Sequence, residues 1–98
     1  MNRRYLEVEI EQKFTKMIKQ HGGLCEKFNS TGRTGVPDRI VTLPNNTIIF
    51  VEFKMQGKKP NVKQLRDHAR RRELGCTVLV IDSLEQIEAF KCNYMTIK

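Results

Sequence analysis

The chain has 98 residues, of which 39% are hydrophobic and 30% charged, enough for one modest core and unlike the composition of a disordered polymer. No apolar run approaches the roughly 20 residues of a membrane span, and the basic start Met1-Asn2-Arg3-Arg4-Tyr5 has no apolar segment behind it, so neither an anchor nor a signal peptide is expected. The formal net charge of +7 favours a polyanionic partner, nucleic acid first, without separating DNA from RNA.

Residues 5–21 carry Leu6, Ile10, Phe14, Met17 and Ile18 at spacings of three and four, which predicts a helix with one apolar stripe. Glu7 and Glu11 are four apart and share a face beside it. Gly22-Gly23 is the stop signal. Residues 24–28 alternate apolar and polar and predict a short strand. Asn29 to Gly35 is a polar, glycine-containing loop. Pro37 lacks a ladder donor and should open the next strand.

Ile40–Leu43 and Thr47–Phe53 are the clearest strands, joined by Pro44-Asn45-Asn46 as a tight hairpin turn. The second is nearly continuous in apolar residues and predicts a central strand covered on both faces. A basic loop, 55–59, follows. Pro60 is expected to start a helix running to about Leu74, ended by Gly75. Residues 76–81 predict another buried strand, and Ser83 with Gln86 stands at capping-box spacing before a third helix. The tail from Cys92 has no clear assignment. The order helix, strand, strand, strand, helix, strand, helix predicts one α/β domain spanning residues 1–98, with a mixed sheet flanked by helices.

The three cysteines, Cys25, Cys76 and Cys92, have no CxxC spacing, which argues against a disulfide framework or a zinc site. Cys25 and Cys76 lie in apolar stretches and are expected as small core residues, with the reducing cytoplasm as the location.

Glu52 and Lys54 are the anomaly. They end a very apolar strand and, two residues apart, project from one face, with Phe53 between them pointing into the core. Charges at the end of a buried strand are costly unless paired or used. The hairpin brings Asp38 alongside. Two carboxylates and a lysine then converge, as hydrolysis of a phosphodiester requires. Hard oxygen ligands suit Mg²⁺ or Mn²⁺, the Phe53 carbonyl is a further oxygen donor, and the lysine can orient a water or stabilise developing negative charge. From spacing alone a structural salt bridge explains the same triplet equally well.

Gly35-Val36-Pro37-Asp38-Arg39-Ile40-Val41, then Phe50-Val51-Glu52-Phe53-Lys54, then Lys58-Lys59-Pro60 and Gln64, resemble the VRR-NUC branch of the PD-(D/E)XK nucleases, in its stand-alone viral form. The resemblance covers about residues 5–82. It implies a restriction-endonuclease-like core and divalent-metal-dependent cleavage of DNA. Asp38 and Glu52 would be metal ligands with the Phe53 carbonyl, Lys54 the catalytic lysine, and Gln64 a residue near the site. The family's glutamate on the first helix is matched by Glu11, with Glu7 as the alternative. Stand-alone viral members resemble homodimeric resolvases of four-way DNA junctions. Cutting two strands symmetrically needs two sites, which a two-fold dimer supplies. A flap or nicking nuclease and a non-catalytic nucleic-acid-binding module are the competing readings. No organic cofactor is expected.

Arg33, Arg39, Lys58, Lys59, Lys63, Arg66 and Arg70 are the expected phosphate contacts, the last three on the helix that also carries Arg71 and Arg72. A solvated basic face is the plainer reading. Gly32-Arg33-Thr34-Gly35 lacks the lysine and spacing of a P-loop. His21 and His68 show no zinc spacing, and His68 reads as a surface residue, although it lies one turn after Gln64. With five Phe, two Tyr and no Trp, a base-stacking platform has little to build on.

Overall fold

The computed structural model describes residues 4–95; Met1 to Arg3 and the last three residues of the tail lie outside the description. The apolar stripe of the first segment closes into α1 (Glu7–Gln20), burying Ile10, Phe14, Met17 and Ile18. The helix starts two residues later than its periodicity suggests. The Leu6 N–H donates to the Glu9 side chain at 2.9 Å, which satisfies a donor the helix leaves open. Gly22, at φ 85°, turns the chain out.

Four strands follow: β1 (Leu24–Lys27), β2 (Arg39–Leu43), β3 (Thr47–Phe53) and, after α2 (Val62–Glu73), β4 (Thr77–Ile81). They form one sheet in the order β1-β2-β3-β4, antiparallel except for the parallel β3–β4 pair. The chain ends its described part with α3 (Leu84–Tyr94), which includes the first residues of the unassigned tail. Asn45 and Asn46, at φ 66° and 61°, make a turn whose twist matches the β2–β3 hairpin. Among the described residues no helix is long and apolar enough to cross a membrane.

The main core lies on one face of the sheet. Val41, Leu43, Ile49, Val51 and Phe53 meet Ile10, Phe14 and Ile18 of α1 and Ile87 and Phe90 of α3. Phe14 stands edge-on to Phe53 and Phe90, with centroids 5.3 and 4.9 Å away. The opposite face is covered by α2 only toward the end of β3. Glu52 is buried and Phe50 half-buried, but Ile48 is 52% exposed, so the expectation of cover on both faces holds for half of the strand.

Two helix starts differ from expectation. Asn61, not Pro60, begins α2 as its cap: the Asn61 side chain accepts the Gln64 N–H and the Gln64 side chain accepts the Asn61 N–H, each at 2.9 Å. Ser83 caps α3, but Gln86 reaches back to the N–H of Asp82 instead of Ser83, so that box is half formed. Cys25 and Cys76 are both half-buried, and of the two Cys25 packs against the main core. Cys25 sits on the edge strand β1, its Sγ 3.6 Å from Thr15 Oγ1, and Cys76 lies in the turn before β4.

Candidate active site

The loop between β1 and β2 is set against α2 before it delivers Asp38. Gly35, at φ 80°, lies so close to α2 that a Cβ there would stand 2.7 Å from the Lys63 carbonyl oxygen, so only glycine fits. Pro37 is buried. Asp38 then ties three segments together. Its carbonyl accepts the Phe28 N–H at 3.0 Å, and its Oδ2 accepts the Phe53 N–H at 2.8 Å. The register explains the second bond, since Arg39 pairs with Val51 and the preceding residue falls beside the end of β3.

Glu52 is 1% exposed. Its Oε2 accepts a hydrogen bond from Gln64 Nε2 at 2.8 Å and lies 3.8 Å from Lys54 Nζ. Its Oε1 has no hydrogen-bond partner, and His68 Nε2 stands 3.7 Å away. The Lys54 N–H continues the parallel ladder to the Ile81 carbonyl, which holds the lysine at the strand end.

The acids are electrostatically crowded. Burial, then the charge of Asp38, pushes Glu52 up to about 8. Burial also raises Asp38, although the Phe53 N–H and Lys54 oppose it and Glu11 adds to it. Glu7 is raised by burial and by Asp38. Lys54 lowers all three and outweighs burial at none of them. A divalent cation is the group that would settle such a cluster. The donors are hard oxygens, and one of them, Glu52 Oε1, is buried and unpaired. Among the described residues no three His, Cys, Asp or Glu side chains form a closed cage. Two carboxylates with the remaining positions left to backbone oxygen, water and phosphate is the arrangement Mg²⁺ favours. The residues therefore fit such an ion.

No family model matches the chain. Over 77 residues, 79% of this chain and 83% of its relative, the chain is 52% identical to "Putative nuclease p44" of Acyrthosiphon pisum secondary endosymbiont phage 1. A solved structure described as "VRR_NUC domain" superposes with a TM-score of 0.85 at 36% identity, covering 90% of this chain and 96% of that one. The chain belongs to the VRR-NUC family.

On this VRR-NUC fold Asp38, Glu52, Lys54 and Gln64 come together around the end of β3. Both first-helix acids face the same region, but differently. Glu11 Oε2 accepts from Arg39 Nε at 2.8 Å, while Glu7 lies in the field of Asp38, Lys54 and Glu11. Arg39, expected as a phosphate contact, is engaged within the fold: besides Glu11 it donates to the Cys25 carbonyl at 3.2 Å, and its side chain is 16% exposed. Arg33 is held by Asp67 at 2.8 and 3.3 Å, with about half of its side chain still exposed. Lys58, Lys59, Lys63, Arg66 and Arg70 are exposed. Arg71 turns inward, and Arg72, though exposed, reaches back to the sheet. Arg71 lies over the Phe28 and Phe50 rings and donates to Asp67 at 2.7 Å, and Arg72 donates to the Val78 carbonyl at 2.7 Å.

His68 overturns its surface reading, being fully buried against Glu52. Asp67, buried at its side, carried no signal in the sequence reading. Both lie on the inward face of α2, while Val62, Leu65 and Leu74 of the same segment are exposed. This helix packs polar groups inward because it covers the site and not the core, so hydropathy points to the wrong face. The one usable signal for His68 was its spacing of four from Gln64.

Proposed function

We propose that the protein is a divalent-metal-dependent nuclease that hydrolyses phosphodiester bonds of DNA. The observation that carries the reading is the convergence of Asp38 and Glu52, two desolvated carboxylates, with Lys54 3.8 Å from Glu52 Oε2 while Oε1 is left without a hydrogen-bond partner. Membership in a family whose relatives include a protein named as a nuclease supports it. Asp38 and Glu52 would hold Mg²⁺ or Mn²⁺ with the Phe53 carbonyl, and an acid of α1, Glu11 or Glu7, would face the same ion. When bound, the ion supplies Lewis acidity and a bound water of lowered pKa.

The protein's own residues prepare the rest. The Phe53 N–H and Gln64 amide fix the two carboxylates before substrate arrives, so no reorganisation is needed at the moment of reaction. Lys54, on the same face as Glu52, orients the attacking water or meets the negative charge that grows on the phosphate. Arg33, Lys63 and Arg66 line one groove beside the Asp67 pair, where phosphates flanking the scissile bond would run.

The substrate reading is branched DNA, cut by a two-fold dimer, because one chain offers one site and paired cuts need two. The host cytoplasm, where the three thiols stay reduced, is the corresponding location. The test is cleavage of a four-way junction against a linear duplex of the same sequence, with Mg²⁺, with Mn²⁺ and with EDTA. Cleavage of the junction in both metals, abolished by EDTA and by Asp38→Ala, is expected. Cleavage that survives Asp38→Ala would place the site elsewhere, and a strict monomer in sedimentation at micromolar concentration would remove the two-site resolvase.

A further inference from the structure

Three buried polar atoms lack a hydrogen-bond partner among the described residues: Glu52 Oε1 and the two ring nitrogens of His68. Leaving such groups unpaired is costly, because each has given up its water without a replacement, so their presence together asks for an explanation. They are not scattered. His68 Nε2 faces Glu52 Oε1 across 3.7 Å, with the two side chains 1% and 2% exposed. That gap is too long for a hydrogen bond and shorter than the roughly 4.5 Å that two bonds of about 2.8 Å span when they meet at the tetrahedral angle of a bridging water. His68 is also one helical turn after Gln64, whose amide already holds the other oxygen of the same carboxylate.

We propose that His68 is a positioning residue for Glu52: its neutral imidazole donates Nε2–H to Oε1 and, with Gln64 on Oε2, grips the carboxylate at both oxygens and sets its orientation toward the cation. The inference rests on the metal-dependent reading of the site. A neutral imidazole carries a single N–H, so the nitrogen that holds it decides whether the contact can form. Placing that hydrogen on Nε2 satisfies two of the three unpaired atoms, and placing it on Nδ1 satisfies none. Closing the contact needs a shift of about 0.8 Å, to ordinary hydrogen-bond length. Each carboxylate oxygen keeps a lone pair for the ion.

The test compares His68→Phe, which fills the space without a donor, with His68→Gln, whose amide nitrogen can stand in for Nε2. The measurements are calorimetric binding of Mn²⁺ without DNA, melting temperature, kcat and KM on cleaved DNA, and the ¹⁵N spectrum of the wild-type histidines. His68→Phe should melt within a few degrees of wild type yet bind Mn²⁺ roughly 10–100-fold more weakly, with kcat lowered and KM for DNA unchanged. His68→Gln should recover most of the loss, and His68 should show the Nε2–H tautomer. Wild-type Mn²⁺ affinity in His68→Phe, or an Nδ1–H tautomer, would overturn the proposal. Should the wild-type protein bind no Mn²⁺ and cleave nothing, the metal reading itself fails, while the tautomer still decides whether the contact exists.

Discussion

Glu52 and Asp67 are both sealed from solvent, at 1% and 2% exposure, within one shared layer between β3 and α2, and the fold treats them in opposite ways. Burial pushes the Asp67 carboxyl up, but hydrogen bonds and charges from Arg71 and Arg33 outweigh it and hold the group below its ordinary range. Its oxygens are filled by guanidinium groups at 2.7 and 2.8 Å. The outcome is mechanical: Arg33 pins the β1–β2 loop to α2, and Arg71 is clamped over Phe28 and Phe50. Glu52 receives an amide at one oxygen, a lysine at 3.8 Å and, at its other oxygen, only the His68 ring nitrogen at 3.7 Å, and is pushed up to about 8. A buried acid completed by arginines belongs to the architecture, whereas one left incomplete beside a second acid is held ready for a ligand.

The largest test of this contrast is chemical. Asp38→Asn or Glu52→Gln should lower DNA cleavage on the order of 10³-fold, while Glu52→Gln melts no lower than wild type at pH 8, because it no longer buries an incomplete carboxylate. Asp67→Ala should do the reverse. It strands the Arg71 guanidinium in its half-buried site and should cost about 3 kcal/mol in urea unfolding, with cleavage by the folded protein reduced less than tenfold.

Stability against pH separates the two acids next, with the metal removed. The folded value of Glu52 is raised, so its stabilising contribution is full below about 4.5 and is lost as pH rises through about 8. That of Asp67 is lowered, so its contribution is present above about 3.8 and is lost as pH falls through the folded value. Between pH 5 and 8 the unfolding free energy of wild type should fall by about 3–4 kcal/mol relative to Glu52→Gln, and 10 mM Mg²⁺ should flatten the difference. A flat difference without metal would show that the fold does complete Glu52. The smallest effect belongs to an exposed cation. Arg70, exposed and paired with Glu73 at 3.4 Å, should change stability by less than about 0.5 kcal/mol on mutation to alanine, while the salt dependence of DNA affinity loses about one unit of slope.

What could be read ahead of the structure follows the same division. β3 appears with the bounds its β-branched run predicts, and the hairpin turn is where Asn45-Asn46 places it, because both depend on neighbours along the chain. Asp38 beside Glu52 was legible because hairpin register is local geometry. The partners of the charged residues were not. Arg39 meets Glu11 across 28 positions and Arg33 meets Asp67 across 34, and composition assigns such residues to solvent until the fold brings an acid to them. His68 escaped for a related reason, since α2 buries the polar pair Asp67 and His68 over the site while its apolar Val62 and Leu65 face out.

Gln64 serves two structures with one amide. Its oxygen accepts the Asn61 N–H at the start of α2, and its nitrogen donates to Glu52. Exchanging the two ends would set donor against donor at Asn61 and acceptor against acceptor at Glu52, so the amide has one permissible orientation. Helix termini fray at little cost. Unwinding the first turn of α2 would therefore take the amide from Glu52 Oε2, so the order of that turn and the placement of the carboxylate are a single property of the fold.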